Sequence, residues 1–164
     1  MKKLRYGLIG CGRISPNHLA ATKENQEHIE LVALCDLVAD RMDSVLVQAG
    51  IDGGGVNKYT DFRDMLESEH LDLVAIATES GSHAQIGLDC INAGCHVIIE
   101  KPIALSITDA DKLINVAQER GVVLSACHQN RFNKSIQKVR EAVEENRFGR
   151  LLHGAAHIRW NRGK

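Results

Sequence analysis

The sequence predicts an α/β fold built around a doubly wound parallel sheet. Short apolar runs, which are typical of buried strands, alternate along most of the 164 residues with longer amphipathic segments, which are typical of helices. A glycine-rich turn at residues 10–12 follows the first apolar run directly and precedes the first helical segment. Strands that alternate with helices in this way pair in parallel, and the connecting helices cover both faces of the sheet.

The first strand–helix–strand unit is predicted over residues 4–36. Residues 4–9 form an apolar run, the polar segment that continues to Asn25 has helical character, and residues 29–35 form a second apolar run that ends at Asp36. The glycines of the intervening turn favour a sharp change of direction, because glycine has no Cβ and adopts positive φ without strain. This order of strand, glycine turn, helix, strand and acidic residue is typical of a Rossmann-type nucleotide-binding unit.

The middle of the chain continues the alternation. Asp61 is a favourable N-cap for a short helix, and Gly94 occupies the position after a longer helix where glycine is strongly preferred. Apolar residues at 71–77, before Thr78, indicate a strand that is buried on both faces. The elements predicted here are a helix at 38–48, a glycine-rich turn at 53–55, a strand at 57–59, a helix at 62–67, the strand at 71–77 and a helix at 83–92.

The last part of the chain completes the sheet and then goes beyond it. The predicted elements are a strand at 95–99, a helix at 108–119, a strand at 122–126, a helix at 134–146 and a strand at 151–160. The strand at 151–160 has no partner left in the chain. We therefore predict a Rossmann-type domain over residues 1–149, and expect residues 150–164 to be the first strand of a truncated C-terminal α+β domain.

The glycine turn and the acidic residue predict a site for NAD. Gly10 permits the tight turn, and Gly12 lets a pyrophosphate approach the backbone at the N-terminus of the first helix, where unpaired N–H groups attract anions. The carboxylate of Asp36 can accept hydrogen bonds from both ribose hydroxyls and repels a 2′-phosphate, which favours NAD over NADP. Ser15 stands at the third glycine position, where its small side chain still allows close packing.

Other interpretations of this motif remain open at this point. A glycine turn also occurs in α/β domains that bind no nucleotide. A methyltransferase also carries an acidic residue after its second strand and would bind S-adenosylmethionine. Such enzymes usually have an acidic residue just before the first glycine, where this chain has Leu8 and Ile9. NAD is therefore the favoured ligand.

Composition excludes several classes of partner. The net charge of −1 and the aromatic content of 4% argue against nucleic acid and membrane surfaces as partners. The five cysteines lack any C-x-x-C spacing, and most of them lie in or beside apolar runs, which suits buried thiols in a reducing cytoplasm. We expect no metal site, because His153 and His157 have no third ligand at a suitable spacing, and we expect His18 to be a packed structural histidine.

Several segments together resemble the Gfo/Idh/MocA oxidoreductase family, and the resemblance extends over essentially the whole chain. The most specific of them is the triplet that follows the fifth strand. The segments are Gly10-Cys11-Gly12-Arg13-Ile14, Asp36, Thr78 with His83 five residues later, and Glu100-Lys101-Pro102. Within the family, residues 128–133 and 158–162 look most like bacterial nucleotide-sugar 3-dehydrogenases, which act on UDP-linked amino-sugar uronic acids in lipopolysaccharide or O-antigen synthesis.

The resemblance implies a role for each matching residue. Lys101 would point at the sugar hydroxyl that is oxidised, and Asn130 and Arg131 would approach the substrate. Glu79 and Ser80 depart from the Pro-Asn often found at their positions. The implied cofactor contacts are Gly10, Cys11, Gly12, Arg13 and Ile14 at the pyrophosphate, Asp36 at the adenosine ribose, Thr78, Glu79 and His83 along the nicotinamide half, Glu100 and Lys101 beside the nicotinamide ribose, and Arg159 and Trp160 facing the nicotinamide from the second domain.

The implied chemistry is the transfer of a hydride from a sugar carbon to NAD. The hydroxyl proton must leave at the same time, so a base and the cofactor must converge on one carbon. Lys101 can hydrogen-bond this hydroxyl and stabilise the developing alkoxide. Related proteins often have a cis Lys-Pro bond at this position, and we expect one here. A non-catalytic NAD-binding sensor on the same fold is the second interpretation, and Lys101 argues against it because a sensor needs no base.

The resemblance also implies what lies outside this chain. Complete family members are about twice as long, carry a histidine in the second domain that acts with the lysine, and use that domain for substrate binding and oligomerisation. We therefore expect this chain to hold NAD but to turn over little substrate alone, and the whole protein to be a cytoplasmic homo-oligomer.

Overall fold

The computed structural model describes residues 2–159 and divides the chain into two compact units, at residues 1–127 and 128–164. The first unit contains one sheet of six parallel strands in the order β3-β2-β1-β4-β5-β6. The strands are β1 Leu4–Ile9, β2 Ile29–Cys35, β3 Asn57–Tyr59, β4 Leu73–Ile76, β5 His96–Glu100 and β6 Leu124–Cys127. This order is that of the Rossmann fold, so the predicted fold class is confirmed.

Five helices connect the strands and cover both faces of the sheet. They are α1 Ser15–Glu24, α2 Asp40–Ala49, α3 Phe62–Ser68, α4 His83–Asn92 and α5 Ile107–Arg120. Neighbouring strand residues point to opposite faces, so that Leu8 packs in one apolar cluster with α1 and α2, whereas Ile9 packs in the other with α3, α4 and α5. None of the described helices combines the length and the apolar character needed to cross a membrane.

Helix ends follow the sequence signals. The Asp61 carboxylate accepts a hydrogen bond of 2.8 Å from the backbone N–H of Arg63 and so caps α3, as predicted. Ser106 caps α5 in the same way through the N–H of Asp109, at 3.1 Å. Gly94 follows α4 with a φ of +86°, the conformation that favours glycine at this position.

The register of the strands brings their carboxyl ends level with one another. Ile9 pairs with Cys35 on one side and with Ile76 on the other, and Ile76 in turn pairs with Ile99. The loops that follow these strands therefore leave the sheet along one edge. The strand order reverses between β1 and β4, and ligands of open parallel sheets bind at such a reversal.

The second unit differs from the sequence prediction. It contains a 3₁₀ helix at Gln129–Phe132, which the sequence does not predict, and helix α6 at Lys134–Glu144. Residues 151–159 form no regular element, so the strand predicted at 151–160 is wrong over the described residues, and Trp160 lies outside them. Alternating apolar residues favour a strand, but a strand forms only when a neighbouring backbone supplies its hydrogen-bond partners.

Candidate cofactor site

The turn after β1 requires glycine at position 10. Gly10 has a φ of +94°, and a Cβ placed there would lie 2.6 Å from the carbonyl carbon of Ala77 and 2.7 Å from the backbone nitrogen of Thr78. Its own N–H donates to the carbonyl oxygen of Cys35 at 2.8 Å. The turn therefore passes closely between the ends of β2 and β4, and no side chain fits there.

Helix α1 begins immediately after this turn and faces a cleft. Ser15, at the third glycine position, is fully buried, and its hydroxyl donates to the carbonyl oxygen of Gly12 at 2.5 Å, which confirms that serine fits. The residue before the helix is Ile14, whose side chain has no hydrogen-bonding group and therefore does not cap the N-terminus of α1. The N–H groups of Ser15 and Asn17 already donate to the carbonyl oxygens of Gly12 and Ile14, and Pro16 has none, so an anion here would depend on the helix dipole and on the N–H groups of the turn itself. The cleft measures about 330 Å³ and is lined by Cys11, Gly12, Arg13, Arg41, Ser44, Val45 and Gln48.

Gly12 faces open space rather than protein. A Cβ at this position would meet no described atom within 4 Å, and its φ lies outside the range that favours glycine. We expect Gly12→Ala to fold with a free energy of unfolding within about 0.5 kcal/mol of the parent, as is usual for surface substitutions. We also expect it to lose roughly tenfold or more in NAD affinity, because the added methyl would occupy the space that we predict for the pyrophosphate.

Calorimetric titration with NAD and thermal unfolding measure these two effects separately. Gly55→Ala is the matched control, since Gly55 also has open space around its Cβ position but lies outside the cleft. Equal NAD affinity in Gly12→Ala and the control would show that no phosphate approaches Gly12.

Asp36 lies at the tip of β2, as predicted, and its carboxylate is almost completely buried. Oδ2 accepts the backbone N–H of Cys11 at 2.8 Å, and Oδ1 accepts that of Val38 at 2.9 Å. The guanidinium of Arg41 lies 3.5 Å from Oδ1 and is 57% exposed. A carboxylate has about four acceptor positions, so these contacts leave room for ribose hydroxyls. Asp36 therefore both fixes the glycine turn and offers acceptors to a ligand.

Cys11 contributes its backbone rather than its thiol. Burial, reinforced by the nearby charge of Asp36, raises the pKa of the Cys11 thiol to about 12. The thiol of Cys35, also buried, has its pKa raised to about 12 for the same main reason. Both thiols stay protonated at neutral pH and are poor nucleophiles. They behave as small apolar side chains, as the sequence predicts.

His83 connects two loops at the edge of the sheet. Its ring is buried, with Nδ1 at 2.7 Å from the carbonyl oxygen of Pro102 and Nε2 at 3.1 Å from that of Thr78. Both ring nitrogens thus lie at hydrogen-bond distance from backbone carbonyl oxygens, and the nitrogen that carries the proton donates to its partner. The side chain holds the loop after β4 against the loop after β5, and any effect of His83 on a cofactor passes through these loops.

Glu79 is exposed and shapes its own loop. Its carboxylate accepts the backbone N–H of Gly81 at 2.6 Å, and this hydrogen bond is the main cause of the lowered pKa of Glu79. The hydroxyl of Ser82 donates to the hydroxyl oxygen of Thr78 at 2.8 Å. Thr78 thus has its hydroxyl hydrogen-bonded within the loop that follows β4, and its backbone carbonyl oxygen is contacted by His83, the first residue of α4.

Glu100 and Lys101 follow the same edge at the end of β5. Glu100 is buried, whereas Lys101 is exposed, and the Lys101–Pro102 peptide bond is cis as expected. The Glu100 carboxylate accepts the backbone N–H of Lys101 through Oε2 at 3.3 Å and contacts His18 Nε2 through Oε1 at 3.1 Å. Lys101 is therefore an exposed lysine next to a buried carboxylate that is held on two sides.

The His18–Glu100 contact is the part of the site that sequence reasoning misses. His18 is packed and hydrogen-bonded, as predicted, but its partner lies 82 residues away. A signal exists in the spacing, because His18 shares a helical face with the buried residues Ser15, Leu19 and Thr22. The spacing shows that His18 points inward, and only the sheet order shows what it meets.

Cys127 completes a group of three potential ligands. The Sγ of Cys127, a ring nitrogen of His18 and a carboxylate oxygen of Glu100 lie within 4.8 Å of one another, because Glu100 pairs with Cys127 across β5 and β6. Such a donor set suits zinc. The direct hydrogen bond between His18 and Glu100 already satisfies both side chains, so the grouping needs no ion to explain it.

The remaining predicted site residues belong to the second unit. Asn130 and Arg131 are exposed on the 3₁₀ helix, and Arg159 is exposed in a segment without regular structure. Trp160 lies outside the described residues. The roles of these four residues stay predictions.

Comparison with known proteins agrees with the geometry of the first unit. Residues 4–128 match the profile of an oxidoreductase family with an NAD-binding Rossmann fold, Gfo/Idh/MocA. The matched range contains the complete six-stranded sheet, the glycine turn, Asp36 and the Glu100-Lys101-Pro102 turn.

Solved structures and a curated relative show the same similarity. The WlbA dehydrogenase from Bordetella pertussis in complex with NADH and UDP-GlcNAcA has a TM-score of 0.82 and 36% identity, covering 91% of this chain and 44% of that one. The WlbA enzyme from Chromobacterium violaceum, with the same two ligands, has a TM-score of 0.83 and 32% identity over 92% of this chain and 42% of that one. Myo-inositol 2-dehydrogenase from Thermotoga maritima is 29% identical over 90% of this chain and 42% of its own length.

The chain spans less than half the length of these relatives. The part that it spans contains the sheet, the glycine turn at the strand-order reversal, the buried acid at the tip of β2 and the lysine after β5. On this evidence the chain belongs to the Gfo/Idh/MocA family of oxidoreductases with an NAD-binding Rossmann fold.

Proposed function

We propose that this chain is the cofactor-binding part of an NAD-dependent dehydrogenase that oxidises C3 of a UDP-linked amino-sugar uronic acid. The observation that carries the proposal is the exposed Lys101 beside the buried Glu100, at the same sheet edge as the glycine turn. The contact between His18 and Glu100 supports it, because it joins the helix of the glycine turn to the lysine loop at hydrogen-bond distance.

Each site residue of this chain has a separate role in the proposed reaction. NAD, when bound, supplies the hydride acceptor. The turn at Gly10 and Gly12 holds the pyrophosphate, and Asp36 holds the adenosine ribose and repels a 2′-phosphate. Lys101 donates a hydrogen bond to the substrate oxygen and stabilises the negative charge that develops there as the hydroxyl proton leaves. The base that takes this proton together with Lys101 lies, on this proposal, in a second domain.

The proposed substrate class has support from two sides. Two of the similar solved structures contain UDP-GlcNAcA, and their identities to this chain are 36% and 32%. Arg131 is exposed, and its planar guanidinium pairs with carboxylate or phosphate groups through two parallel hydrogen bonds. An inositol is the competing substrate, because a myo-inositol 2-dehydrogenase is 29% identical.

The substrate is tested by NADH formation in a protein in which this chain is continued to the length of its relatives. We expect UDP-GlcNAcA to be oxidised and myo-inositol to give no signal above background. Arg131→Gln should lower kcat/KM for the charged sugar by about tenfold or more, since a hydrogen-bonded charge pair is lost. Arg120→Gln is the matched control, because Arg120 lies on α5 and donates to Asn92 instead.

Each other outcome has a definite meaning. Oxidation of myo-inositol alone contradicts the proposed substrate and leaves the dehydrogenase in place. NAD binding without oxidation of any sugar supports the non-catalytic sensor. Rapid sugar-dependent NADH formation by the 164-residue chain alone contradicts the proposal that turnover needs a second domain.

The same proposal extends to the second domain, the oligomeric state, the cellular location and the partners of the protein. We propose that residues 150–164 begin a second domain and that the whole protein forms a homo-oligomer through it. None of the described cysteines is in a disulfide bond, which suits a reducing compartment, and we propose a cytoplasmic location with a role in lipopolysaccharide synthesis. Small molecules are the proposed partners, and neither nucleic acid nor a membrane is among them.

A further inference from the structure

We propose that His18 is a positioning residue that acts through Glu100 on the nicotinamide end of the site. The inference deepens the proposed function and rests on it, since it assumes that Glu100 and Lys101 lie beside the nicotinamide ribose. His18 is on α1, which begins at the glycine turn, so its side chain links the pyrophosphate end of the site to the lysine end.

The geometry leaves the Glu100 carboxylate little freedom. Oε1 is 3.1 Å from His18 Nε2, and Oε2 is 3.3 Å from the backbone nitrogen of Lys101. A carboxylate only accepts hydrogen bonds, so His18 Nε2 is the donor. The side chains of His18 and Glu100 are only 11% and 8% exposed, which shields the hydrogen bond from water.

The hydrogen bond between His18 and Glu100 is shorter and more buried than the side-chain contact that Lys23 makes from the same helix. Lys23, on the same helix, reaches only the carbonyl oxygen of Gly50, at 3.5 Å in an exposed position. The pair of His18 and Glu100 is faced from β6 by the thiol of Cys127. The Glu100 carboxylate is buried beside an imidazole and a thiol, and His18 supplies the hydrogen bond that holds Oε1 in the orientation in which Oε2 accepts the N–H of Lys101.

Loss of His18 therefore has a local consequence at the nicotinamide end. Without the imidazole, the carboxylate of Glu100 can rotate away from the orientation in which it also accepts the Lys101 N–H. Acceptors for ribose hydroxyls and the backbone of the lysine then lose their fixed positions. The glycine turn and Asp36 are not part of this contact, so binding of the adenosine half should stay intact.

The test compares two ligands that share the adenosine half. NAD⁺ contains the nicotinamide and its ribose, whereas ADP ends at the pyrophosphate and so lacks the ribose that Glu100 is proposed to contact. In calorimetric titrations of this chain, we expect His18→Leu to weaken NAD⁺ binding by about tenfold and to change ADP binding by less than about twofold. His18→Gln should restore most of the NAD⁺ affinity, because the glutamine amide can place an N–H near the position of Nε2.

Two further variants separate positioning from general damage. His28→Leu changes an exposed histidine just beyond the same helix and should leave both affinities unchanged. Glu100→Gln should weaken NAD⁺ binding, and adding His18→Leu to it should produce little further loss, because His18 acts through Glu100.

The outcomes distinguish the inference from the proposed function. Equal weakening of NAD⁺ and ADP binding in His18→Leu would overturn the inference, because His18 would then only support α1. Unchanged NAD⁺ affinity would overturn it as well. If the parent chain binds neither ligand, the cofactor proposal fails; if it binds both with equal affinity, only the inference fails.

Discussion

Asp36→Ala is expected to abolish detectable NAD binding at concentrations that saturate the parent chain. The parent should bind NAD and show no binding of NADP or S-adenosylmethionine in the same calorimetric titration. The expected loss is about hundredfold, because the carboxylate is the proposed acceptor for two ribose hydroxyls and hydrogen bonds to a charged group are the strong ones. Arg41 lies within 3.5 Å and should gain contact with a 2′-phosphate once the carboxylate is removed.

Stability must be followed in the same experiment, because Asp36 also accepts the N–H groups of Cys11 and Val38. Asp36→Asn keeps an acceptor oxygen and removes the charge, so it should retain more of the free energy of unfolding than the alanine variant while NADP affinity rises. Asp40→Asn is the matched control, since Asp40 is an exposed acid four residues away. Binding of S-adenosylmethionine by the parent chain would contradict the cofactor assignment.

Gly10→Ala is expected to destabilise the protein more than any other glycine-to-alanine substitution in the glycine turn. Its φ of +94° is unfavourable for alanine, and the new Cβ would lie 2.6 Å from the backbone of Ala77. Backbone cannot move aside as a flexible side chain can, so the ends of β1 and β4 would separate. We expect a loss of more than about 3 kcal/mol in the free energy of unfolding, or roughly 6–12 °C in Tm, together with loss of NAD binding.

Gly94→Ala separates the two causes of this effect. Gly94 has a similar φ of +86°, but its Cβ position has no described atom within 4 Å. Gly94→Ala should therefore lower the free energy of unfolding only by the cost of the unfavourable φ, about 1–2 kcal/mol. Equal unfolding free energies for the two variants, measured by denaturant titration, would show that the close approach of Ala77 is relieved at little cost.

Local sequence signals determine the elements of the first unit well. Strand 4–9 matches β1, the cap at Asp61 starts α3, and Gly94 follows α4, because each signal acts over a few residues. The glycine turn can be predicted equally well from the sequence, because Gly10 and Asp36 must occupy fixed positions in one strand–helix–strand unit. These features need no knowledge of distant contacts.

The segment at 151–159 shows where local signals fail. Its apolar alternation favours a strand, yet no strand forms there in the described structure. Whether an extended segment becomes a strand depends on a second backbone at hydrogen-bond distance, and that backbone is a non-local condition. The 3₁₀ helix at Gln129–Phe132 was missed for a simpler reason, because one short turn carries little periodic signal.

Local sequence patterns are sufficient to predict the Rossmann-type alternation, the glycine turn, the acidic residue at the tip of β2 and the lysine after β5. Tertiary structure alone decided that His83 bridges two loops through backbone carbonyls and that His18 meets Glu100. Periodicity fixes which way a side chain points, because it is a property of one element. The partner that it meets depends on strand order and register, which arise only when all six strands assemble.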